Sequence, residues 1–134
     1  MNLYNYHKNK ECLDLFNSCI YGKNNQSTFF LLKGYFHRNN NLPAVIYSND
    51  YQVEYWVNGH LHREDGPAKI GNILIEYWVN GEKHRKNGKP AIQWRDGHEE
   101  YWVNGQLHRE SGPAVIYSNG KTEYWINGKQ IISY

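Results

Sequence analysis

Three His-Arg dipeptides, His62-Arg63, His84-Arg85 and His108-Arg109, recur along the chain, each preceded by a Tyr-Trp pair and followed by Pro-Ala. A guanidinium beside an imidazole suits recognition of an anion, because arginine offers a planar fork that matches carboxylate and phosphate oxygens. The tyrosines of the same units add aromatic area of the kind enriched where proteins bind one another. Tyr55, His62, Arg63, Tyr77, His84, Arg85, Tyr101, His108 and Arg109 are therefore the candidate binding residues. Catalysis asks for one unique set of groups held at a single point, whereas each of these groups is copied from unit to unit. Repetition of this kind describes a surface. The sequence holds no Gly-x-Ser-x-Gly elbow, phosphate-cradling glycine loop or dinucleotide fingerprint, and its many glycines are accounted for by turns. The reading is a non-enzymatic protein with no catalytic residues and no cofactor.

Metal chemistry is disfavoured on similar grounds. His60 and His62 alternate onto one strand face, but no Cys, Asp or Glu cluster completes a tetrahedral set around them. Cys12 and Cys19 share a face of the expected N-terminal helix and are read as core residues rather than as ligands or redox partners. With no other cysteine to form a disulfide framework, a reducing, cytoplasmic setting is expected, in a bacterial cell or an infected host cell.

The elements that must position the candidate residues follow from an internal repeat. Glu-Tyr-Trp-Val-Asn-Gly occurs at 54–59, 76–81 and 100–105 and returns as Glu-Tyr-Trp-Ile-Asn-Gly at 123–128. From Gly34 through Gly59, Gly81, Gly105 and Gly128 the steps are 25, 22, 24 and 23 residues. An Asn-Gly pair between aromatic and β-branched residues is a strong hairpin signal, since a type I′ turn needs positive φ at both central positions. Each unit reads as strand, tight turn, strand and loop.

Counting outward from Asn58-Gly59 sets Val57 opposite His60, Trp56 opposite Leu61, Tyr55 opposite His62 and Glu54 opposite Arg63. The same count opposes Glu76 to Arg85 and Glu100 to Arg109, predicting a ladder of carboxylate–guanidinium pairs. Around the second turns, at Asp96-Gly97 and Asn119-Gly120, it sets Ala91 opposite Trp102 and Ala114 opposite Trp125. Alternation then predicts a buried Trp, Leu and Ala face and a more exposed Tyr and His face.

These phrases, Tyr-Trp-x-Asn-Gly with His-Arg and Gly-Pro-Ala, resemble the MORN-type repeats, and more closely their bacterial and viral variant form. The resemblance covers about three quarters of the chain. It departs from the standard MORN repeat in having His-Arg where that repeat favours His-Gly. It implies an elongated single-layer stack of antiparallel β-hairpins that serves as a binding or scaffolding module, some variant members being similar to antitoxins or immunity proteins.

The expected fold class is thus all-β with one short N-terminal helix. Residues 1–29 would form a helical cap and residues 30–134 a MORN-like domain of about four units of 22–25 residues. The helix is expected over Asn9–Tyr21, where Cys12, Leu13, Phe16, Cys19 and Ile20 recur at helical spacing before Gly22.

Charge narrows the partners. Lys and Arg number 15 against 13 for Asp and Glu, a net +2, and residues 1–33 supply that excess with four lysines against Glu11 and Asp14. A neutral repeat region argues against a nucleic-acid partner. No apolar run is long enough to span a membrane. The leading expectation is capture of a specific protein partner, as an antitoxin-like, immunity-like or viral inhibitor protein would do. Two alternatives stay open: sequestration of a small phosphate-bearing ligand such as a signalling nucleotide, and a structural or scaffold role, with homo-oligomerisation compatible with each.

Overall fold

A computed structural model of the chain describes residues 13–14, 17–23, 27–48 and 51–132. Among these residues the protein is entirely β, with no helix. One long antiparallel sheet runs in chain order through Leu13–Asp14, Asn17–Lys23, Ser27–Leu32, Val45–Tyr47, Val53–Glu54, Lys69–Ile70, Leu74–Glu76, Ile92–Trp94, Glu99–Glu100, Val115–Ile116, Thr122–Ile126 and Lys129–Ile131. Tyr35–Phe36 pairs with the end of Ser27–Leu32. Three separate hairpins stand beside it: Trp56–Val57 with His60–Leu61, Trp78–Val79 with Glu82–Lys83, and Trp102–Val103 with Gln106–Leu107.

These hairpins have the predicted register. Trp56 opposes Leu61, Val57 opposes His60, and the equivalents repeat as Trp78 with Lys83 and Trp102 with Leu107. The Asn-Gly turns fix it: Asn58, Asn80, Asn104 and Asn127 take φ of 49°, 52°, 48° and 48° and their glycines φ of 80°, 80°, 72° and 73°. Asparagine tolerates this left-handed region better than other side-chain-bearing residues. At Gly81 the room is restricted as well, because a β-carbon would come within 2.9 Å of His60 Nδ1 on the preceding hairpin.

Neighbouring hairpins are joined through their backbones. Gly59, Gly81, Gly105 and Gly128 each donate an N–H to the preceding hairpin, at Phe36, Leu61, Lys83 and Leu107 O respectively, over 2.9–3.0 Å. In return Arg38, Arg63, Arg85 and Arg109 donate to the carbonyls of Trp56, Trp78, Trp102 and Trp125. The hairpin tips therefore form a second hydrogen-bonded line alongside the long sheet.

The core lies where the two lines meet. Ala44, Ala68, Ala91 and Ala114 are each fully enclosed. Each accepts from one unit and donates to the next: Ala68 O takes the Tyr55 N–H at 2.7 Å, and Ala68 N–H goes to Glu76 O at 2.8 Å. A side chain larger than methyl would push these strands apart, which explains the alanine of Pro-Ala. Val45, Ile92, Val115 and Tyr101 complete the buried apolar set, and no large side chain among the described residues is fully enclosed. Such a thin core suits a repeat in which each unit is stabilised mainly by its neighbours.

Three expectations need correction. Within the segment expected to be helical, Leu13–Asp14 is a strand and residues 17–21 belong to the strand Asn17–Lys23, and the rest of Asn9–Tyr21 lies outside the described residues. Asn17–Lys23 pairs with Ser27–Leu32 over five positions, from Cys19 opposite Leu32 to Lys23 opposite Thr28. A short lone helix is marginal in water, whereas the edge of Ser27–Leu32 supplies a full ladder of partners.

The second turns are shifted by one residue. Ile92 opposes Glu100 and Val115 opposes Glu123, so Ala91 and Ala114 do not face Trp102 and Trp125. Tyr117 N–H bonds to Lys121 O and Gly120, at φ 84°, closes a three-residue loop; the two-residue count does not apply.

The carboxylate–guanidinium ladder does not form. Each hairpin ladder ends at Tyr, where the strand breaks, and the following arginine leaves to bond the next unit. Glu54, Glu76, Glu100 and Glu123 instead accept from the indole N–H two residues on, at Trp56, Trp78, Trp102 and Trp125, over 2.7–3.0 Å. Only one residue separates each Glu from its Trp, which makes this pairing local. Lys69 Nζ bridges two units, 4.0 Å from Glu54 and 3.5 Å from Glu76.

Candidate functional site

The arginines of the His-Arg pairs stack on the aromatic residue that opens their own hairpin. Arg63, Arg85 and Arg109 lie 3.9, 3.6 and 3.8 Å above the centroids of Tyr55, Tyr77 and Tyr101, and Arg38 lies 3.8 Å above Phe30. One guanidinium nitrogen of each donates to the carbonyl of the following proline: Arg38 to Pro43, Arg63 to Pro67, Arg85 to Pro90 and Arg109 to Pro113. Each arginine thus ties its loop back onto its own hairpin. A stacked, partly desolvated guanidinium of this kind is worth about 1–2 kcal/mol.

The histidines serve the next unit. Nδ1 of His37, His62, His84 and His108 accepts the backbone N–H of Asn58, Asn80, Asn104 and Asn127 over 3.0–3.2 Å. A backbone N–H can only donate, so the imidazole must be neutral with its proton on Nε2. His62 and His108 turn Nε2 toward Glu64 and Glu110, at 4.0 and 3.9 Å, and His37 pairs with Asn39 at 2.8 Å. His98, outside this pattern, meets Glu100 at 3.2 Å between the rings of Trp94 and Tyr117. Among the described residues no group of His, Cys, Asp and Glu is arranged to hold a metal ion.

Tyr101 is buried, while Tyr55 and Tyr77 are half-buried beneath their arginines and Tyr124 is exposed; Trp56, Trp78, Trp102 and Trp125 are likewise half-buried, so the expected contrast between a buried Trp face and a more exposed Tyr face does not hold. Burial, followed by the hydrogen bond from its hydroxyl to Glu99, pushes the Tyr101 phenol above its ordinary pKa, against the opposing pull of Arg109 and Arg85. Tyr117 is raised chiefly by its bond to Glu123, whose own carboxyl is lowered by the indole of Trp125 and then by Tyr117.

Two clefts open between successive His-Arg loops. The first, about 320 Å³, lies between the Arg38 and Arg63 loops with Tyr55 and His62 in its lining. The second, about 450 Å³, lies between the Arg85 and Arg109 loops and takes in His84, Tyr101 and His108. The expected residues therefore gather into two equivalent places, with Tyr55, His62 and Arg63 in one and His84, Arg85, Tyr101, His108 and Arg109 in the other. Tyr77 lines neither.

Sequence reasoning did not single out the loop residues of the clefts, Asn41, Asp65, Lys86 and Lys89. A signal was present in the loop lengths. Arg38 to Pro43 and Arg85 to Pro90 are five-residue steps, while Arg63 to Pro67 and Arg109 to Pro113 are four-residue steps. Each cleft forms where a longer loop precedes a shorter one.

No protein-family model matches the chain, and no curated protein or solved structure gives a significant match.

Proposed function

We propose that this protein is a non-enzymatic binding module, built as a MORN-like repeat, that captures a specific protein partner through its His-Arg loops, in the manner of an antitoxin-like or viral inhibitor protein. The observation that carries the proposal is the recurrence of one cleft at two equivalent places along the same line of loops. A repeated, shallow, aromatic-floored surface fits an extended protein epitope, since binding energy can be gathered at several points without a unique reactive centre. The stacked arginines and capping histidines hold the floor rigid, and the exposed loop residues make the contact.

Reconstitution with purified components tests it. The partner is identified by native mass spectrometry of the complex recovered from cells, and its affinity is then measured by calorimetry. The loop variant E64K/K86E/E110K should abolish binding, while D96K/K121E, in the turns of the long sheet, should bind as the native chain does. Retained binding in the loop variant, or a native mass showing only this chain, would overturn the reading.

A further inference from the structure

The two clefts share geometry but not charge. The first holds Arg38 and Arg63 against Glu64 and Asp65, two cations and two carboxylates. The second holds Arg85, Lys86, Lys89 and Arg109 against Glu110 alone, four cations and one carboxylate. A cleft with an excess of three positive charges favours an anion, the more so where part of its wall is dry.

The arginine Nε locates the anion. In the first cleft Arg63 Nε donates to Asn41 Oδ1 at 2.8 Å and to Asp65 Oδ1 at 3.3 Å, so the molecule supplies its own oxygens. In the second cleft Ser111 stands where Asp65 stands, two residues after the arginine, and Gly88 stands where Asn41 stands, three residues after the preceding arginine. The loop backbone is the same: Asn40 and Asn41 have φ of 60° and 55°, Asn87 and Gly88 φ of 65° and 63°. A β-carbon on Gly88 would meet nothing within 4 Å, so a side chain could start there as it does at Asn41. Arg109 keeps its stack on Tyr101 and its bond to Pro113. Its Nε, however, is the one buried side-chain nitrogen or oxygen among the described residues with no hydrogen-bond partner. Leaving such a donor unmatched is costly, and a charge-assisted bond to an oxyanion would satisfy it.

We infer that the cleft between the Arg85 and Arg109 loops is a carboxylate-binding site, in which an Asp or Glu side chain of the partner accepts from Arg109 Nε with Lys86 and Lys89 at its rim. The carboxylate takes the place that Asp65 and Asn41 occupy in the first cleft, so the chain carries both an internally filled copy of the site and an open one. The source of the carboxylate rests on the protein-capture reading above; the anion site itself does not.

The test follows the arginine Nε–Hε resonances of the ¹⁵N-labelled full chain, with R109K identifying the Arg109 signal. Titration with glutarate should shift the Arg109 signal saturably and leave Arg63 unmoved. The double variant G88N/S111D, which installs the first cleft's own oxygens, should show the shifted signal without ligand and bind glutarate roughly ten-fold or more weakly. An Arg109 signal that moves no more than Arg63, or glutarate binding unchanged in G88N/S111D, would overturn the site. Tighter saturation by inorganic phosphate than by glutarate would overturn the carboxylate assignment in favour of a phosphate-bearing ligand. A saturable glutarate response in a chain that captures no partner would leave the anion site standing and fail only the proposed function.

Discussion

His62 Nδ1 accepts the backbone N–H of Asn80, 18 residues further along the chain, at 3.1 Å. The same bond is made by His37, His84 and His108 to the first turn residue of the following hairpin. It links sequence to assembly: the left-handed turn residue has an N–H with no partner inside its own hairpin, and the preceding unit supplies one. Histidine meets this need because its ring nitrogen reaches across the gap as a pure acceptor.

Replacing His84 by Ala or Phe should therefore lower the unfolding free energy by about 0.5–1.5 kcal/mol, the net worth of its bond to the exposed Asn104 N–H. Phe keeps the ring volume, so an equal loss in both variants assigns the effect to the nitrogen. Urea denaturation measures it, and a loss no larger than that of the exposed Lys129→Ala change would contradict the role.

The stack of Arg85 on Tyr77 should appear as a coupling in a double-mutant cycle. Arg85→Lys loses the flat stack and the bond to Pro90 O, Tyr77→Leu loses the ring, and the pair should be coupled by about 0.5–2 kcal/mol. Tyr77→Phe, which keeps the ring, should be nearly neutral. Additive losses in the cycle would show that the two side chains act independently.

Lys69 lies between two enclosed carboxylates of adjacent units, Glu54 and Glu76. Lys69→Met should destabilise the protein by about 1–2 kcal/mol, and adding Glu76→Gln should restore part of the loss by removing one of the two like charges. Thermal melting at low and high salt checks this, with the deficit of the single variant shrinking as salt screens the carboxylates.

Alkaline lability follows from Tyr47, Tyr101 and Tyr117, whose phenols all titrate above the usual value of about 10 in the folded chain. A raised folded pKa means that the native state holds the proton more tightly than the unfolded chain. That stabilisation is fully present below the unfolded pKa and is lost as pH rises through the folded value. Melting temperature should fall above about pH 10 in step with tyrosinate absorbance, and Tyr101→Phe should flatten the decline. On the acid side Glu123, whose carboxyl is lowered, contributes stability above its unfolded pKa that is lost as pH falls through the folded one. Glu123→Gln should blunt that limb.

How far the sequence could be read depended on the range of the interaction. The hairpins at Asn58-Gly59, Asn80-Gly81 and Asn104-Gly105 were legible because a two-residue turn with forced positive φ leaves only one register. The second turns were less so: Asn119-Gly120 permits a three-residue loop as readily as a two-residue one, and the choice moves every partner by one. The destination of Arg63 was hidden because strand alternation assumes a continuous strand, whereas the chain breaks at Tyr55 and sends the arginine over the ring. Glu54 with Trp56 was the more local pairing and could have been preferred over Glu54 with Arg63. The N-terminal strands were masked by helical spacing, since what makes Asn17–Lys23 extended is an edge supplied by another segment. The two clefts each lie where a longer loop precedes a shorter one, a relation that shows only once the units are set side by side.

The histidine-to-turn bonds all point one way along the chain. Each Asn-Gly hairpin is completed by a group that precedes it, at Asn58, Asn80, Asn104 and Asn127 alike. For a polypeptide emerging from a ribosome, this order means that each new hairpin finds its capping group already made and already seated. Assembly can then proceed with synthesis as a zipper closes, one tooth at a time, and a unit inserted by duplication would inherit its cap from the unit before it and offer its own to the next.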